Sequence, residues 1–236
     1  MLNIKAIKPE DLWYVVGYIA TDGCLSKDGR HTTLVSKDIQ ILEDIKQAIG
    51  LNNSKICNHR GGLGTMASHI NISSRKFYKF LEEIGLTPKK SLTLGSLNIP
   101  ESYFKDFLRG VIDGDGSIYS WIHRTNSHTQ WSLRFHSGSE VFSKWLKNET
   151  EKYFNVQGKL HTRKLKGRNP LYIVKFGKMA ARVILGSSYY KDCLVLERKN
   201  KAVQDCIKTK NLFKKYGNVI NCSGDGIGRH YGLKIR

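Results

Sequence analysis

The sequence predicts an α+β protein built from two similar halves, each with the element order helix, hairpin, helix, hairpin and helix. Two observations support this prediction. The stretch "VVGYIATDG" (residues 15–23) has a counterpart in "LRGVIDGDG" (residues 108–116), in which the shared residues are all displaced by 93 positions. Helical and strand-like hydrophobic patterns then follow each stretch in the same order. We therefore expect two pseudo-symmetric αββαββα repeats.

The first half begins with a helix that ends at an acid–glycine pair. Leu12, Val15 and Ile19 recur at helical spacing, and Gly23 ends the pattern. Asp28-Gly29 lies between two β-capable segments and predicts a hairpin. A second helix, a hairpin with a glycine-rich turn and a short third helix follow, in the segments "KDIQILEDIKQAIG", "KICNHRGGLGTMASHINIS" and "RKFYKFLEEIG".

The second half repeats this order and adds one element. A helix over "YFKDFLRGVIDGDG" precedes a hairpin that turns near residues 126–127, and a helix over "EVFSKWLKNETEKYF" precedes a hairpin that bends at 167–170. The helix "KMAARVILG" is expected to end at Gly186, and a basic helix within residues 194–215 follows it. The predicted organisation is a first repeat with its linker at 1–98, a second repeat at 99–210, and a basic, glycine-rich extension at 211–236.

The net charge indicates a polyanionic partner. The chain has 39 Lys and Arg against 20 Asp and Glu, a formal charge of +19, and nucleic acid is the usual partner of such a surface. The charge is uneven, because residues 1–98 carry 13 basic and 9 acidic side chains whereas residues 99–236 carry 26 and 11. The second half is therefore expected to bind phosphate more strongly.

Hydropathy and cysteine spacing argue against several classes of protein. No apolar run approaches the ~20 residues of a membrane span, and the first residues lack the pattern of a signal peptide. The five cysteines are widely spaced and include no C-x-x-C pair, so neither a zinc site nor a disulfide framework is indicated. We expect an intracellular protein, in the cytoplasm, the nucleoid or an organelle matrix, that is neither secreted nor membrane-bound.

The acids near the ends of the two matched stretches, Asp22 and Asp115, are candidate metal ligands. Each is expected at a helix C-terminus, where the macrodipole makes a carboxylate unfavourable by ~0.3–1 kcal/mol. If the two helices pack together the acids also repel one another, and a bound divalent cation would relieve both effects. Backbone carbonyls are unpaired at helix ends, so Thr21 and Gly114 are candidates to complete the ligand set.

Two glycines inside the predicted helices favour the same arrangement. Gly17 and Gly110 each lie five residues before an acid. A glycine in the middle of a helix costs ~1 kcal/mol relative to alanine, which is understandable where two equivalent helices cross with their backbones close together. The pair therefore predicts a crossing of the two helices.

The two stretches resemble the signature motifs of the LAGLIDADG homing endonucleases, in the single-chain form with two repeats. The element order of each half is similar to that family as well, so the resemblance covers about residues 8–210. The second motif is the closer match, whereas the first has Ala20 where the family often has Asp. Both stretches retain the family's catalytic acid, at Asp22 and Asp115, so the resemblance implies an active nuclease.

The resemblance also implies an architecture and a reaction. The signature helices pair at a pseudo-twofold axis, two four-stranded sheets form a saddle over the DNA major groove, and the protein is a monomer. The acids hold Mg²⁺ near the scissile phosphates of double-stranded DNA, with Mn²⁺ or Ca²⁺ able to replace it for binding. Both strands are cut across the minor groove of a long asymmetric site, which leaves short 3′ overhangs.

Three lysines match positions that the family places around the metals. Lys90 and Lys199 follow the first and second repeats, and such a lysine can polarise water or offset charge in the transition state. Lys37 resembles another active-site position, at the end of the second strand. Its counterpart falls at Ser137 and Gly138, which predicts that the two halves of the site differ and that the two strands are cut at unequal rates.

The hairpins carry polar and basic side chains suited to DNA. A β-ribbon fits the major groove and presents alternate residues to the bases, and any one of these side chains also suits phosphate contact. The candidates in the first half are Ser26, Lys27, Arg30, His31, Thr33, His59, Arg60, Ser68 and His69. The candidates in the second half are Tyr119, Trp121, His123, Arg124, Gln130, Ser132, Arg134, His161, Arg163, Lys164, Lys166 and Arg168.

Two other functions known in the same superfamily stay open at this point. An intron RNA maturase or a non-cleaving DNA-binding regulator needs the basic surface but not both acids, so the pair Asp22 and Asp115 favours the nuclease. A chain with both nuclease and maturase activity is compatible with the sequence. A generic basic RNA-binding protein would explain the charge but not the repeat.

Overall fold

The computed structural model describes residues 2–60, 66–125, 127–164, 166–167 and 169–208, and it has the predicted element order in both halves. The first repeat comprises α1 (Pro9–Asp22), β1 (Gly23–Leu25), β2 (His31–Ser36), α2 (Ile39–Ala48), β3 (Ile56–Arg60), β4 (Met66–Ser73) and α3 (Arg75–Ile84). The second repeat comprises α4 (Phe104–Gly114), β5 (Ser117–Ile122), β6 (Thr129–Ser137), α5 (Glu140–Phe154), β7 (Gly158–Arg163), β8 (Leu171–Phe176) and α6 (Lys178–Ser188), and α7 (Glu197–Lys208) follows it.

Each repeat contains one four-stranded antiparallel sheet. The strand order is β1-β2-β4-β3 in the first repeat and β5-β6-β8-β7 in the second. In both sheets the second strand of each hairpin lies inside and the first strand lies at an edge. The predicted α+β fold of two αββαββα repeats is confirmed.

The two faces of each sheet differ in burial, as period-two alternation requires. Along β2, Thr32, Leu34 and Ser36 are buried on the side of the helices, and the residues between them lie on the opposite face, which is less buried. We call this opposite face of each sheet its outer face. It is the surface on which a large ligand can contact both hairpins of a repeat.

Some element ends differ from the sequence-based expectation. The helix α6 continues through Gly186 to Ser188, because helical hydrogen bonding persists until the Tyr189 amide donates to the Leu185 carbonyl at 3.0 Å. The helix α7 is described as far as Lys208. The predicted extension at residues 211–236 lies outside the described residues.

The helices α1 and α4 cross with their backbones in contact. A Cβ added to Gly17 would lie less than 3.0 Å from the Phe107 carbonyl, and one added to Gly110 would lie less than 3.0 Å from the Tyr14 carbonyl. These two contacts are related by the same displacement of 93 residues that relates the two motifs. The crossing is therefore pseudo-twofold symmetric, as the two glycines predicted.

The crossing lies at the centre of one continuous hydrophobic core. All nine residues from Leu12 to Ala20 are buried in α1, and α4 is buried from Phe104 and from Asp106 to Asp113. The core continues from this helix pair under both sheets. In the part of the chain that the structure describes, no helix has the length and apolar character needed to cross a lipid bilayer.

The crossing predicts a large effect of one added methyl group. Gly17→Ala should lower the free energy of unfolding by at least about 2 kcal/mol, because the new Cβ overlaps backbone atoms that side-chain rotation cannot move. The matched control is Gly186→Ala in α6, where an added Cβ meets nothing within 4 Å. That control should be neutral or stabilising by up to ~1 kcal/mol through helix propensity. Urea denaturation checks both values, and equal stabilities of the two variants would contradict the close crossing.

Candidate active site

The two predicted catalytic acids lie at the converging ends of the crossed helices. Asp22 is the last residue of α1, and Asp115 follows the last residue of α4 as its C-cap. The pseudo-equivalent residues Thr21 and Gly114 meet between them, since a Cβ on Gly114 would overlap Thr21 Oγ1 and would lie 3.5 Å from Asp22 Oδ2. The helix crossing therefore brings both acids to one place on the pseudo-twofold axis.

Burial disfavours the charged form of both acids, and at Asp22 the charge of Asp115 adds to this effect. Partial burial, followed by the charge of Asp115, raises the pKa of Asp22 to about 6. Partial burial also raises the pKa of Asp115. Both groups lie at helix C-termini, where the macrodipole adds to the unfavourable potential. The neighbouring positive charges of Lys90 and Lys199 act in the opposite direction but do not cancel the effect of burial on either acid.

Lys199 places an ammonium group on the backbone at the end of α4. Its Nζ donates to the carbonyls of Ile112, Asp113 and Gly114 at 2.8, 2.7 and 2.7 Å, and so satisfies three acceptors at the helix C-terminus. Burial lowers the pKa of Lys199 to about 8. The carbonyl of Gly114, a predicted metal ligand, therefore already accepts one hydrogen bond.

Lys90 occupies the corresponding place beside α1 but makes fewer contacts. Its side chain is 7% exposed, and its Nζ donates to the carbonyl of Gly23, directly after Asp22. Burial lowers the pKa of Lys90. Its backbone carbonyl accepts from the amides of Thr93 and Leu94 at 3.1 and 2.8 Å, in a turn of the segment that joins the repeats. Both lysines thus lie near the acids, as the sequence predicted, with different partners.

Lys37, the third predicted lysine, is placed differently. It follows β2 with an exposed side chain and is not among the charges with the largest effects on the pKa of Asp22 or Asp115. Those charges include two residues that the sequence reasoning missed, Arg198 near Asp22 and His136 near Asp115. In the sequence, Arg198 could have been noticed because it precedes Lys199. His136 could have been noticed because it lies two residues after Arg134 on the same strand, β6.

The predicted asymmetry between the halves is visible at the position that corresponds to Lys37. Ser36 and Ser137 are equivalent, since each accepts a hydrogen bond at 3.1 Å from the amide two residues later. Lys37 therefore corresponds to Gly138, where a Cβ would lie less than 3.0 Å from the Ser91 carbonyl. The segment that joins the repeats packs on this glycine and leaves no room for a side chain.

A cleft of about 190 Å³ opens beside Asp115. Its lining includes Thr21, Lys90, Ser91 and His136. A larger groove of about 740 Å³ lies near α2 and the start of α7, and its lining contains neither Asp22 nor Asp115. That groove is lined by five acids and two basic residues, namely Asp11, Asp38, Asp44, Asp192 and Glu197 with Lys8 and Arg198, which makes it unsuitable for phosphate.

The donor set at the acids fits a hard divalent cation. Two carboxylates lie at one place with raised pKa values, and a cation would relieve both the burial and the repulsion. Within the described ranges no group of three or more His, Cys, Asp and Glu side chains is placed to hold a metal ion. Mg²⁺ is commonly bound by one or two carboxylates with water and substrate phosphate supplying the rest, so the two acids suit Mg²⁺ better than a soft metal.

The outer face of the first sheet is polar, and it contains several predicted DNA-binding residues. His31 pairs with Ser73 and Thr33 pairs with Asn71 across β2 and β4, and Thr33 Oγ1 donates to Asn71 Oδ1 at 2.6 Å. His69 lies on the same face. Ser68 does not, because it is buried on the helix side, where it donates to Asn58 at 2.7 Å. Because successive residues of a strand point to opposite faces, Ser68 and His69 lie on different faces of the sheet.

The remaining first-half candidates lie at the ends of the hairpins. Ser26, Lys27 and Arg30 belong to the turn between β1 and β2, and Arg30 Nε donates to Ser73 Oγ at 2.9 Å. His59 and Arg60 are the last two residues of β3. By strand register His59 falls on the outer-face alternation with His69, whereas Arg60 falls on the alternation with Ser68.

The outer face of the second sheet is more basic and contains stacked aromatic rings. Tyr119 and Trp121 stack at 5.6 Å between centroids, the Arg134 guanidinium lies 4.9 Å from the Tyr119 ring, and Lys175 Nζ lies 5.8 Å from the Trp121 ring. Ser132 lies beneath this cluster and is fully buried, with its hydroxyl accepting from Arg134 Nε at 3.1 Å. Sequence reasoning included most of this cluster but missed Lys175.

The other second-half candidates extend the basic face. Gln130 lies opposite Trp121, and His161 and Arg163 lie on β7, exposed to solvent. Lys159, which the sequence reasoning missed, pairs with Lys175. The exposed candidates His123, Arg124, Lys164 and Lys166 belong to the loops at the ends of the hairpins. Arg168 lies outside the described residues.

Comparison with known proteins finds one family model that matches the first repeat. Residues 9–85 match the family model described as a LAGLIDADG-like domain. A comparison with curated proteins found no match. The LAGLIDADG resemblance inferred from the sequence is thus confirmed, and the chain has the fold of single-chain LAGLIDADG homing endonucleases.

Three solved structures illustrate the fold. The homing endonuclease I-WcaI bound to its DNA recognition sequence is 14% identical over 83% of this chain and 87% of that one, with a TM-score of 0.59. I-GzeII in complex with its DNA target is 15% identical over 92% and 94%, with a TM-score of 0.58. DUF199/WhiA from Thermatoga maritima is 14% identical over 87% of this chain, with a TM-score of 0.53, and this chain spans 66% of its length.

The raised pKa of Asp22 predicts a stability effect with a defined sign. The folded protein retains the proton to about pH 6, whereas the unfolded chain loses it near pH 4, so stability falls as the pH rises through this interval. In metal-free solution Asp22→Asn should therefore be more stable than the wild type at pH 7.5, by on the order of 1–2 kcal/mol. The difference should vanish near pH 4.

Urea denaturation with EDTA at the two pH values measures this difference, and Glu83→Gln, at an exposed acid of α3, is the matched control. Saturating Mg²⁺ should reduce the advantage of Asp22→Asn, since only the wild type keeps both carboxylates. An Asp22→Asn variant that is less stable than the wild type at pH 7.5 without metal would contradict the electrostatic account.

Proposed function

We propose that this protein is a divalent-metal-dependent DNA endonuclease that cuts both strands of a long asymmetric site, as a homing endonuclease does. The observation that carries the proposal is the pair of acids, Asp22 and Asp115, which the helix crossing brings to one place. A lysine lies beside each helix end, Lys90 buried and Lys199 half-buried. A single chain contains both halves of this site and both sheets, so it is proposed to act as a monomer.

The residues at the helix ends have distinct proposed roles. Asp22 and Asp115 hold Mg²⁺, which supplies water activation and stabilisation of the leaving oxygen when it is bound. Lys90 and Lys199 place positive charge beside the acids and offset charge on the phosphate in the transition state. Because Lys199 contacts three carbonyls and Lys90 one, the two halves are expected to cut their strands at unequal rates.

The outer faces of the two sheets are proposed to bind the DNA major groove. Both faces carry hydrogen-bonding side chains with alternate spacing, which suits base edges. Lys159, Arg163, Lys175 and Arg134 make the second face the more basic one, in agreement with the charge difference between the halves. The structures of I-WcaI and I-GzeII, which are DNA complexes of the same fold, support this assignment.

Binding without cleavage is the second candidate function. The fold is shared with WhiA, which is described as having an N-terminal LAGLIDADG domain and not as an endonuclease. The acid pair distinguishes the candidates, since a protein that only binds nucleic acid gains nothing from two carboxylates on a basic surface. Intron RNA is a further proposed ligand if double-stranded DNA is bound and not cut.

The acid pair predicts a separation of cleavage from binding. A target is first recovered by incubating the protein and Mg²⁺ with a library of randomised duplexes and sequencing the cut ends. On that target, Asp22→Asn and Asp115→Asn should each reduce double-strand cleavage by about 100-fold or more. Both variants should bind the target in EDTA at least as tightly as the wild type, because removing an acid reduces repulsion of phosphate.

The matched control is Glu83→Gln, which should cleave at the wild-type rate. Wild-type rates in both aspartate variants would refute the assignment of the acids. Tight binding by the wild-type protein with no cut ends in the presence of Mg²⁺ or Mn²⁺ would refute the nuclease and leave the binding function.

The basic outer face predicts a steep dependence of DNA affinity on salt. Each lysine that contacts a phosphate contributes about one unit to the slope of log K against log salt concentration. Lys159→Met and Lys175→Met should each reduce the slope by about one, whereas Lys79→Met, on the helix α3, should leave it unchanged. Fluorescence anisotropy at several salt concentrations measures the slopes, and identical slopes for all four proteins would contradict the assignment of this face.

A further inference from the structure

Asp113 is a buried carboxylate that the catalytic assignment does not use. It lies two residues before Asp115 in α4 and is fully buried. Its pseudo-equivalent in α1 is Ala20, so one motif has two acids and the other has one. A buried carboxylate is costly unless it is fully hydrogen-bonded, so its partners indicate its role.

Three donors surround the Asp113 carboxylate. Tyr14 Oη donates to Oδ2 at 2.9 Å, Tyr189 Oη donates to Oδ1 at 2.7 Å, and the Leu196 amide donates to Oδ2 at 2.8 Å. The first donor comes from the crossing partner α1, and the other two come from the segment between α6 and α7. Asp113 therefore connects the helix pair to both ends of residues 189–196, which we call the strap.

The Tyr14–Asp113 contact has no equivalent on the other side of the pseudo-twofold axis. The corresponding pair is Phe107 and Ala20, in which neither side chain has a polar atom. On one side of the axis a hydroxyl donor faces a carboxylate acceptor, and on the other side two apolar side chains face each other, so neither side leaves a polar group of this pair without a partner. The hydrogen-bonded pair therefore serves the second half of the molecule alone.

A second buried cluster anchors the middle of the strap. Arg109 donates to Asp106 Oδ1 at 2.7 Å, to the Ser188 carbonyl at 2.9 Å and to the Leu194 carbonyl at 2.9 Å. Tyr190 Oη donates to Asp106 Oδ1 at 2.6 Å. Because this cluster holds the strap independently, loss of one Asp113 contact should displace the end of the strap without detaching all of it.

The end of the strap determines where α7 begins and therefore where Lys199 lies. The amides of Lys199 and Asn200 donate to the Leu196 carbonyl at 2.9 and 3.0 Å and so start the helix. The amide of the same Leu196 is held by Asp113. The Lys199 side chain then returns to the carbonyls of Ile112, Asp113 and Gly114.

We propose that Asp113 is a positioning residue, which holds the Leu196 end of the strap and thereby places Lys199 beside Asp115 for cleavage of one DNA strand. The inference rests on the proposed nuclease function. The effect is confined to one half of the site for two reasons. Lys90 belongs to the segment between the repeats and is held there by its own backbone contacts. The first half also has Ala20 at the position equivalent to Asp113, so it has no matching carboxylate.

The test measures the cleavage rates of the two strands separately, with each strand labelled on a target recovered as above. Lys199→Met identifies the strand that depends on Lys199. Tyr189→Phe removes one donor with little change of shape, and Asp113→Asn replaces an acceptor by a donor. Tyr78→Phe is the matched control, since it removes a buried hydroxyl that donates to the Ser26 carbonyl at 2.5 Å in the first repeat.

The expected result is a change in the ratio of the two strand rates by about tenfold in Asp113→Asn and by a smaller factor in Tyr189→Phe. The slowed strand should be the one slowed by Lys199→Met, so nicked duplex should accumulate. Amide hydrogen exchange at Leu196 and Lys199 in the metal-free proteins should accelerate in both variants and remain unchanged in Tyr78→Phe. The exchange readout does not depend on cleavage.

Several results would overturn the inference. Equal slowing of both strands, or faster exchange with an unchanged strand ratio, would show that Asp113 serves folding alone. If Asp113→Asn does not fold, an unchanged strand ratio and unchanged exchange in Tyr189→Phe would be sufficient to refute the role. Absence of cleavage by the wild-type protein would instead refute the proposed function, and that outcome is distinguishable because the exchange measurement still reports on the strap.

Discussion

The structure depends on the contact between the backbones of α1 and α4. Gly17 and Gly110 allow each helix to lie against a carbonyl of the other, and no larger residue leaves room for this approach. The contact brings Thr21 against Gly114 at the helix ends and so brings Asp22 and Asp115 together. Because one sheet follows directly from the end of each helix, the same contact also fixes where the two outer faces lie relative to the acids.

The backbones of the two halves are related by pseudo-twofold symmetry, but the side chains around the helix ends differ between the halves. Lys199 contacts three carbonyls of its helix end, whereas Lys90 contacts one. A buried carboxylate, Asp113, supports the second half and is replaced by Ala20 in the first. The second sheet also has the longer first strand and the aromatic cluster of Tyr119 and Trp121. These differences suit an asymmetric substrate, because two identical halves would favour a palindromic site.

Much of the fold could be predicted from the sequence, because its signals are local. Helical spacing, the Asp28-Gly29 turn and the constant displacement of the two motifs each depend on neighbouring residues. The place of the candidate site was predictable from the motifs, because the two matched helices end together at Asp22 and Asp115. The rest depends on tertiary packing. The burial of Ser68 and Ser132 follows from strand register and from covering side chains.

The partners of buried charges were the least predictable feature. Asp113 takes its donors from residues 76 to 99 positions away, which no local pattern reveals.

Mapping both cleavage positions at nucleotide resolution on one recovered target tests the central claim most directly. Two acids at one pseudo-twofold centre predict one cut on each strand, offset by only a few base pairs with 3′ extensions. Cuts confined to one strand, or separated by a full helical turn or more, would contradict a shared centre.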